Sequence, residues 1–255
     1  MKKLGLITIG FYIATWVLAG TAQAQTVSLR EALDNEFVQV ALCGLGASTG
    51  DSIILAIKSN VGRRLDVQVP SGTVLRSRDP GAQDMVIHRV KFKQTAETAK
   101  DIADACNDAA RIEEERLQLD QNFLRQWQVA NSILLPAYST QLYLLSAYCL
   151  DIEKDNPGSD TRFSVSAELR VWYNPITWFR KVEGPETGRL FRYLEGNPTA
   201  FDLDAVQLAT WAVTDNLSAQ QIREEYEFVT ADKLEACRLL RLSGIDPDAK
   251  RLCLQ

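Results

Sequence analysis

The stretch Leu65-Asp66-Val67-Gln68-Val69 alternates apolar and polar side chains without a break, and Pro70-Ser71-Gly72 closes it with turn residues. A period of two sends alternate side chains to opposite faces, the pattern of a strand with one face buried and one wet. The same rhythm extends outward in both directions. Upstream, Phe37 to Cys43 and Ser52 to Ser59 read as strands, separated by Gly44, Gly46 and the turn Ser48-Thr49-Gly50-Asp51. Downstream, Thr73 to Ser77 and Met85 to Phe92 continue it. Short sheet-forming runs at close spacing from Val27 to Val90 predict an antiparallel β-sandwich or a small barrel.

The pattern changes at Gln94. Thr95 to Ala130 contains no proline or glycine, and Ile102, Ala105, Cys106, Ala109, Ile112, Arg116, Leu119 and Phe123 fall near one helical stripe. A single helix of that length would run about 50 Å, so a break or a projection is expected. The charges from Arg111 to Arg116 read as a solvated face, with a coiled-coil partner surface as the sharper alternative. Strand character returns at Ile133 to Leu135, Gln141 to Leu150 and Phe163 to Ser166, which makes the helical segment an insertion between strands of one sheet system.

Asp155-Asn156-Pro157-Gly158-Ser159 is a strong turn signal. Between Trp172 and Pro198, Asn174-Pro175, Gly184-Pro185, Gly188 and Gly196-Asn197-Pro198 suggest loops anchored by Trp178, Phe179, Phe191 and Tyr193. Helical patterns follow at Asp204 to Thr214, at Ala219 to Phe228 with Ser218 and Gln221 spaced as a capping box, and at Ala231 to Leu242, stopped by Ser243-Gly244. The expected class is therefore α+β: an antiparallel β-sandwich-like domain over residues 25–172 with a helical insert at 95–130, an aromatic loop-rich connection at 173–203, and a helical region at 204–255.

Residues 1–24 read as a secretory signal peptide. Lys2 and Lys3 supply the positive end, Leu4 to Gly20 is uncharged and largely apolar, and Ala22-Gln23-Ala24 is a small-x-small cleavage site. Cleavage before Gln25 is expected, with an uncleaved anchor as the alternative. Thr21 stands where a lipobox needs cysteine, which excludes acylation there. Removing Lys2 and Lys3 from the 28 basic side chains leaves 26 against 33 acidic ones, a net of −7. That balance argues against nucleic acid and anionic membrane surfaces as partners. No second apolar run of spanning length follows, so the expected address is exported, periplasmic or extracellular.

Export permits disulfides. The five cysteines, Cys43, Cys106, Cys149, Cys237 and Cys253, are odd in number, so at least one stays free or pairs outside the chain. Cys237 and Cys253 flank a turn-rich segment with Ser243-Gly244 and Asp246-Pro247, which makes them the easiest local bridge. One histidine, His88, and the absence of a CxxC pair speak against a zinc site, and no DxDxDG loop is present. No metal or cofactor is expected.

Two further stretches carry a resemblance. Ala147-Tyr148-Cys149-Leu150-Asp151, followed by a Pro-Gly turn, and Val206-Gln207-Leu208-Ala209-Thr210-Trp211-Ala212 resemble the aromatic-Cys and Thr-Gln-x-Ala-Ile-Trp blocks of the thioester domains of bacterial surface adhesins. The resemblance implies that Cys149 matches the thioester cysteine and that Gln207 matches the glutamine of the second block, which is not its thioester partner. Val206 and Thr210 depart from that block, and no third block follows, although Gln220 and Gln221 lie downstream.

Three other readings compete for the same residue types. A thiol hydrolase would need Cys149 as nucleophile and His88 as base, yet His88 lies on the strand-like run Met85 to Val90, where a half-exposed sheet histidine is the simpler reading. Glu113 to Glu115 and Glu224 to Glu225 have basic neighbours on predicted helices and read as solvated surface rather than a glycosidase pair. Trp172, Tyr173, Trp178 and Phe179 form a candidate aromatic platform, with Gln207 and Trp211 as further binding candidates. GxSxG, P-loop and GxGxxG fingerprints are absent. The sequence thus points to a non-enzymatic exported protein that binds a protein or other envelope macromolecule. The alternative is a thioester-like covalent adhesin or a cysteine-dependent hydrolase acting through Cys149.

Overall fold

The computed structural model describes residues 24–95, 101–117, 132–168 and 184–254. Within them the chain forms two sheets and six α-helices, a mixed α and β architecture. Strands β1 (Gln25–Ser28), β4 (Leu65–Gln68) and β7 (Ser132–Leu135) make a small sheet in which β1 runs parallel to β4 and β7 antiparallel to it. The larger sheet is wholly antiparallel, in the order β2 (Val38–Gly44), β3 (Thr49–Ser59), β8 (Thr140–Cys149), β6 (Met85–Thr95), β5 (Thr73–Ser77) and β9 (Phe163–Glu168).

Its two edges meet. The Gly44 N–H donates to the Thr161 carbonyl at 3.0 Å, and Cys43 sits opposite Arg162 in an antiparallel bridge, so the sheet nearly closes into a barrel. Closure satisfies edge groups that would otherwise template aggregation. It also demands glycine at position 44, because a Cβ there would run into the carbonyl oxygens of Pro157 and Gly158.

The strands predicted from alternation are present with ends shifted by a few residues. The alternating stretch at 65–69 buries Leu65, Val67 and Val69, as its period requires. The inner face of the larger sheet packs Ile53, Leu55 and Ile57 with Tyr143, Leu145 and Ala147 and with Met85, Ile87 and Val90. β8 is buried along both faces from Gln141 to Cys149, because helices cover the outer side.

Of the predicted insert at 95–130, Thr95 ends β6 and helix α2 (Ile102–Leu117) follows; 96–100 and 118–130 lie outside the described residues. Its small side chains Ala105, Ala109 and Ala110 lie on Ile54, Ala56, Leu142 and Leu144, and a Cys43–Cys106 disulfide ties it to β2. Ala-lined helices approach a sheet closely, and the bridge removes chain entropy from the unfolded state.

The C-terminal helices share the main core with the sheet. α4 (Leu203–Thr214) buries Ala205, Val206, Leu208, Ala209 and Trp211 and packs against α6 (Thr230–Leu242), while α5 (Ala219–Glu225) carries the Ser218–Gln221 capping box in full. Cys237 and Cys253 form the second disulfide, as the turn between them suggested.

Two helices escaped the sequence reading. α3 (Pro185–Gly196) lies inside the stretch read as loop, because its Gly and Pro residues look like breakers. Pro185 occupies the first turn, where no intrahelical N–H bond is lost, and Gly184 precedes it as N-cap. α1 (Leu29–Asp34) interrupts the β-rich half and is capped by Ser28, whose side chain accepts from the Glu31 N–H. Among the described residues, no helix is long and apolar enough to cross a membrane.

Candidate functional site

The two blocks that carry the resemblance meet in space. Gln207, on the face of α4 turned to the sheet, accepts from the Cys149 N–H at 3.0 Å and donates to the Cys149 carbonyl at 2.9 Å. The amide thus completes the backbone pairing of the last residue of β8 and seats α4 on the sheet. The sulfur is turned elsewhere: Sγ lies 3.3 Å from the Met85 thioether sulfur and 3.9 Å from Asn156 Oδ1. Burial, with Asp151 adding, pushes the Cys149 thiol well above its ordinary range, so the nucleophilic thiolate is disfavoured.

His88 occupies a bulge in β6. Ile87 pairs with Ala147 and Arg89 with Ser146, so the extra residue brings His88 and Arg89 together on the outer face. The His88 ring lies 5.8 Å from the Tyr148 ring, and Arg89 Nε donates to His88 Nε2 at 3.3 Å. Cys149 packs on the inner side of β8 with Met85, so the structure does not bring thiol and imidazole together as a dyad. His88 is buried rather than half-exposed. Burial first, and then Arg89, lower its pKa to about 3, against a smaller opposing effect of the Leu194 backbone.

Around this bulge lies a buried polar layer. Asp51, which a second bulge in β3 places opposite Ser146, faces Lys91 Nζ at 3.7 Å. Tyr148 is fully buried against Phe191 of α3, and its phenol is raised mainly by burial, with Arg89 opposing and Asp204 of α4 adding. Burial also lowers the Arg89 guanidinium, with Tyr148 and Asp51 opposing. The arrangement is a paired charge layer beneath α3 and α4, the form in which buried charges are tolerated.

Asp204 links that layer to the surface. It accepts a hydrogen bond from the Tyr226 hydroxyl and borders a cleft of about 610 Å³ lined also by Arg223, Glu227, Phe228, Val229 and Asp232. The cleft is a shallow depression open to solvent rather than an enclosed pocket. The loop between α5 and α6 builds the cleft. Asp232 accepts from the Val229 N–H at 2.8 Å, the Arg223 guanidinium stacks 4.7 Å over the Phe228 ring, and Val229 stays 62% exposed.

Of the binding candidates, Gln207 and Trp211 are buried, so neither turns its side chain to a surface ligand; the Trp211 ring instead meets Tyr226 edge-on at 5.1 Å. Trp172, Tyr173, Trp178 and Phe179 lie outside the described residues. The described residues contain no cluster of three or more His, Cys, Asp or Glu side chains suited to a metal ion. Sequence reading missed the cleft, since its residues come from three segments that only packing brings together. Comparison with protein-family models, curated proteins and solved structures finds no match.

Proposed function

We propose that this chain is an exported, non-enzymatic interaction protein of the cell envelope, with a β-sandwich-like body, that binds its partner through the cleft beside Asp204. The observation that carries this reading is the cleft itself, a concave surface where carboxylates, an aromatic ring and an exposed valine converge. The two disulfides suit an oxidising compartment. The reactive groups, by contrast, are sealed: the free thiol is buried among sulfur and amide neighbours and kept protonated.

The test has two arms. Fractionation with N-terminal sequencing should find the chain outside the cytosol and starting at Gln25. Immobilised protein should retain an envelope component that a Phe228→Ser, Val229→Ser variant releases. Recovery of an untrimmed, fully reduced chain from cytosol, or equal retention by that variant, would reject the proposal.

A covalent role through Cys149, as a thioester-like adhesin or a cysteine-dependent hydrolase, is the second reading. Gln207 gripping the Cys149 backbone is what favours it, because the two resembling blocks do touch. Intact-mass spectrometry separates the readings: an internal thioester lowers the mass by one ammonia and vanishes with methylamine, whereas disulfides remove hydrogen pairs only.

A further inference from the structure

We infer that the occupant of the cleft is an extended, cationic polypeptide segment in which lysine or arginine alternates with small apolar residues; this rests on the cleft being the binding surface. Three carboxylates, Asp204, Glu227 and Asp232, border the opening against one guanidinium, Arg223. That guanidinium already lies on the Phe228 ring, a contact that satisfies part of its preference for an aromatic face. An anion is the poorer fit. The start of α6, where backbone N–H groups would welcome one, is covered by the Asp232 carboxylate through the Val229 N–H.

Two of the three acids are partly engaged, Asp204 by the Tyr226 hydroxyl and Asp232 by Val229. A carboxylate accepts several hydrogen bonds, so both keep acceptor capacity for a bound ammonium or guanidinium. Glu227 is the acid that makes no hydrogen bond or ion pair among the described residues. The apolar side of the cleft sets the second requirement. Phe228 and the exposed Val229 stand beside the acids, and an extended chain presents alternate side chains about 7 Å apart on one side, which lets a basic residue meet Glu227 while its neighbours cover the valine. The whole chain carries net negative charge, which favours encounter with a basic partner.

The test uses the mature chain and three short synthetic peptides flanked by Gly-Ser: one alternating Lys and Val, one with Glu for Lys, one with Ser for Val. Binding is read by calorimetry at low and at moderate salt. The Lys-Val peptide should bind at least about tenfold more tightly than its Glu counterpart and several-fold more tightly than the Lys-Ser peptide, and weaken with salt. Glu227→Lys should cost at least about tenfold in affinity, whereas Arg223→Gln, which removes the like charge, should tighten binding about threefold. Circular dichroism confirms that both variants fold. Opposite signs at the two positions distinguish direct contact from structural damage.

Equal or tighter binding of the Glu peptide, or no response to Glu227→Lys, overturns the inference. If no peptide binds while the Phe228→Ser, Val229→Ser variant still loses an envelope component, the cationic-peptide assignment falls and the binding role stands. If both experiments are blank, both fall.

Discussion

The outer face of the larger sheet is covered twice, and the two covers are built from different chemistry. Under α2 the strands offer Ile54, Ala56, Leu142 and Leu144, the helix answers with alanines, and the Cys43–Cys106 disulfide fastens the pair. Two residues further along the same strand, Ser146 and Tyr148 replace the leucines, and Asp51, His88, Arg89 and Lys91 gather around them beneath α3 and α4. Apolar contact tolerates small shifts of a helix; a buried charge layer fixes one position, because any displacement strands a charge in low dielectric. The cleft lies on the side of the polar end, where the Asp204 charge, on the rim of the cleft, is felt by the buried Tyr148 phenol. The difference lies in how the helices are placed: α2 is seated by fit and a covalent tie, α3 and α4 over charges that must stay matched.

Each end can be broken separately. The largest loss is expected from Cys43→Ala with Cys106→Ala. The bridged residues are 63 positions apart, against 16 for Cys237 and Cys253, so chain entropy assigns about 4 kcal/mol to the first bridge and about 3 to the second. Urea denaturation of the two double variants checks both the size and the order. A loss under about 1 kcal/mol for the first would mean that the alanine contacts alone seat α2.

At the polar end, Asp51→Leu removes the counter-charge 3.7 Å from Lys91 and should cost about 3 kcal/mol. Adding Lys91→Met should recover most of it, since an apolar pair of similar shape substitutes well for a buried ion pair. Additive losses in a double-mutant cycle would show that the two residues do not act as a pair. Gln207→Leu comes next: the Cys149 N–H keeps the Ser48 carbonyl, but the buried Cys149 carbonyl loses the Gln207 amide, at about 2 kcal/mol. Urea denaturation of that variant checks the loss, and unchanged stability would discount the tie between α4 and β8.

One effect vanishes at neutral pH and grows only on acidification. His88 stays neutral when folded, with its pKa lowered from 6.5 to about 3, so the unfolded chain takes up the proton first. The stability that this group contributes is complete above pH 6.5 and is lost as pH falls toward 3, at up to about 1.4 kcal/mol per pH unit. The difference between wild type and His88→Gln isolates it from the carboxylates. A difference independent of pH between 6.5 and 4.5 would show that the imidazole is not shielded.

Much of this contrast was legible only in part. Alternation located the strands, and Ser218, Gln221 and the Gly244 stop marked helices that form where expected. The local bridge Cys237–Cys253 followed from a turn that brings its ends together. The bridge Cys43–Cys106 did not, because its partners are neighbours only once α2 lies across β2. His88 was misjudged for a comparable reason. Strict alternation sends consecutive residues to opposite faces, and the bulge that puts His88 and Arg89 on one face exists only in the pairing of β6 with β8. α3 was read as loop because Pro185 and Gly188 are breakers in isolation and helix-compatible in place.

The sequence by itself determined most of the strands and the last three helices, where most of them stop, and that at least one cysteine of five must stay outside an internal bridge. Those features depend on spacing, caps and counting within a few residues. Tertiary structure alone decided that the sheet nearly closes on itself, that Gln207 reaches Cys149, which end of the sheet's outer face is apolar and which is charged, and that Asp204, Arg223 and Glu227 share a cleft. Each of those depends on contacts between residues far apart in the chain, whose free energy is realised only after the intervening segments have packed.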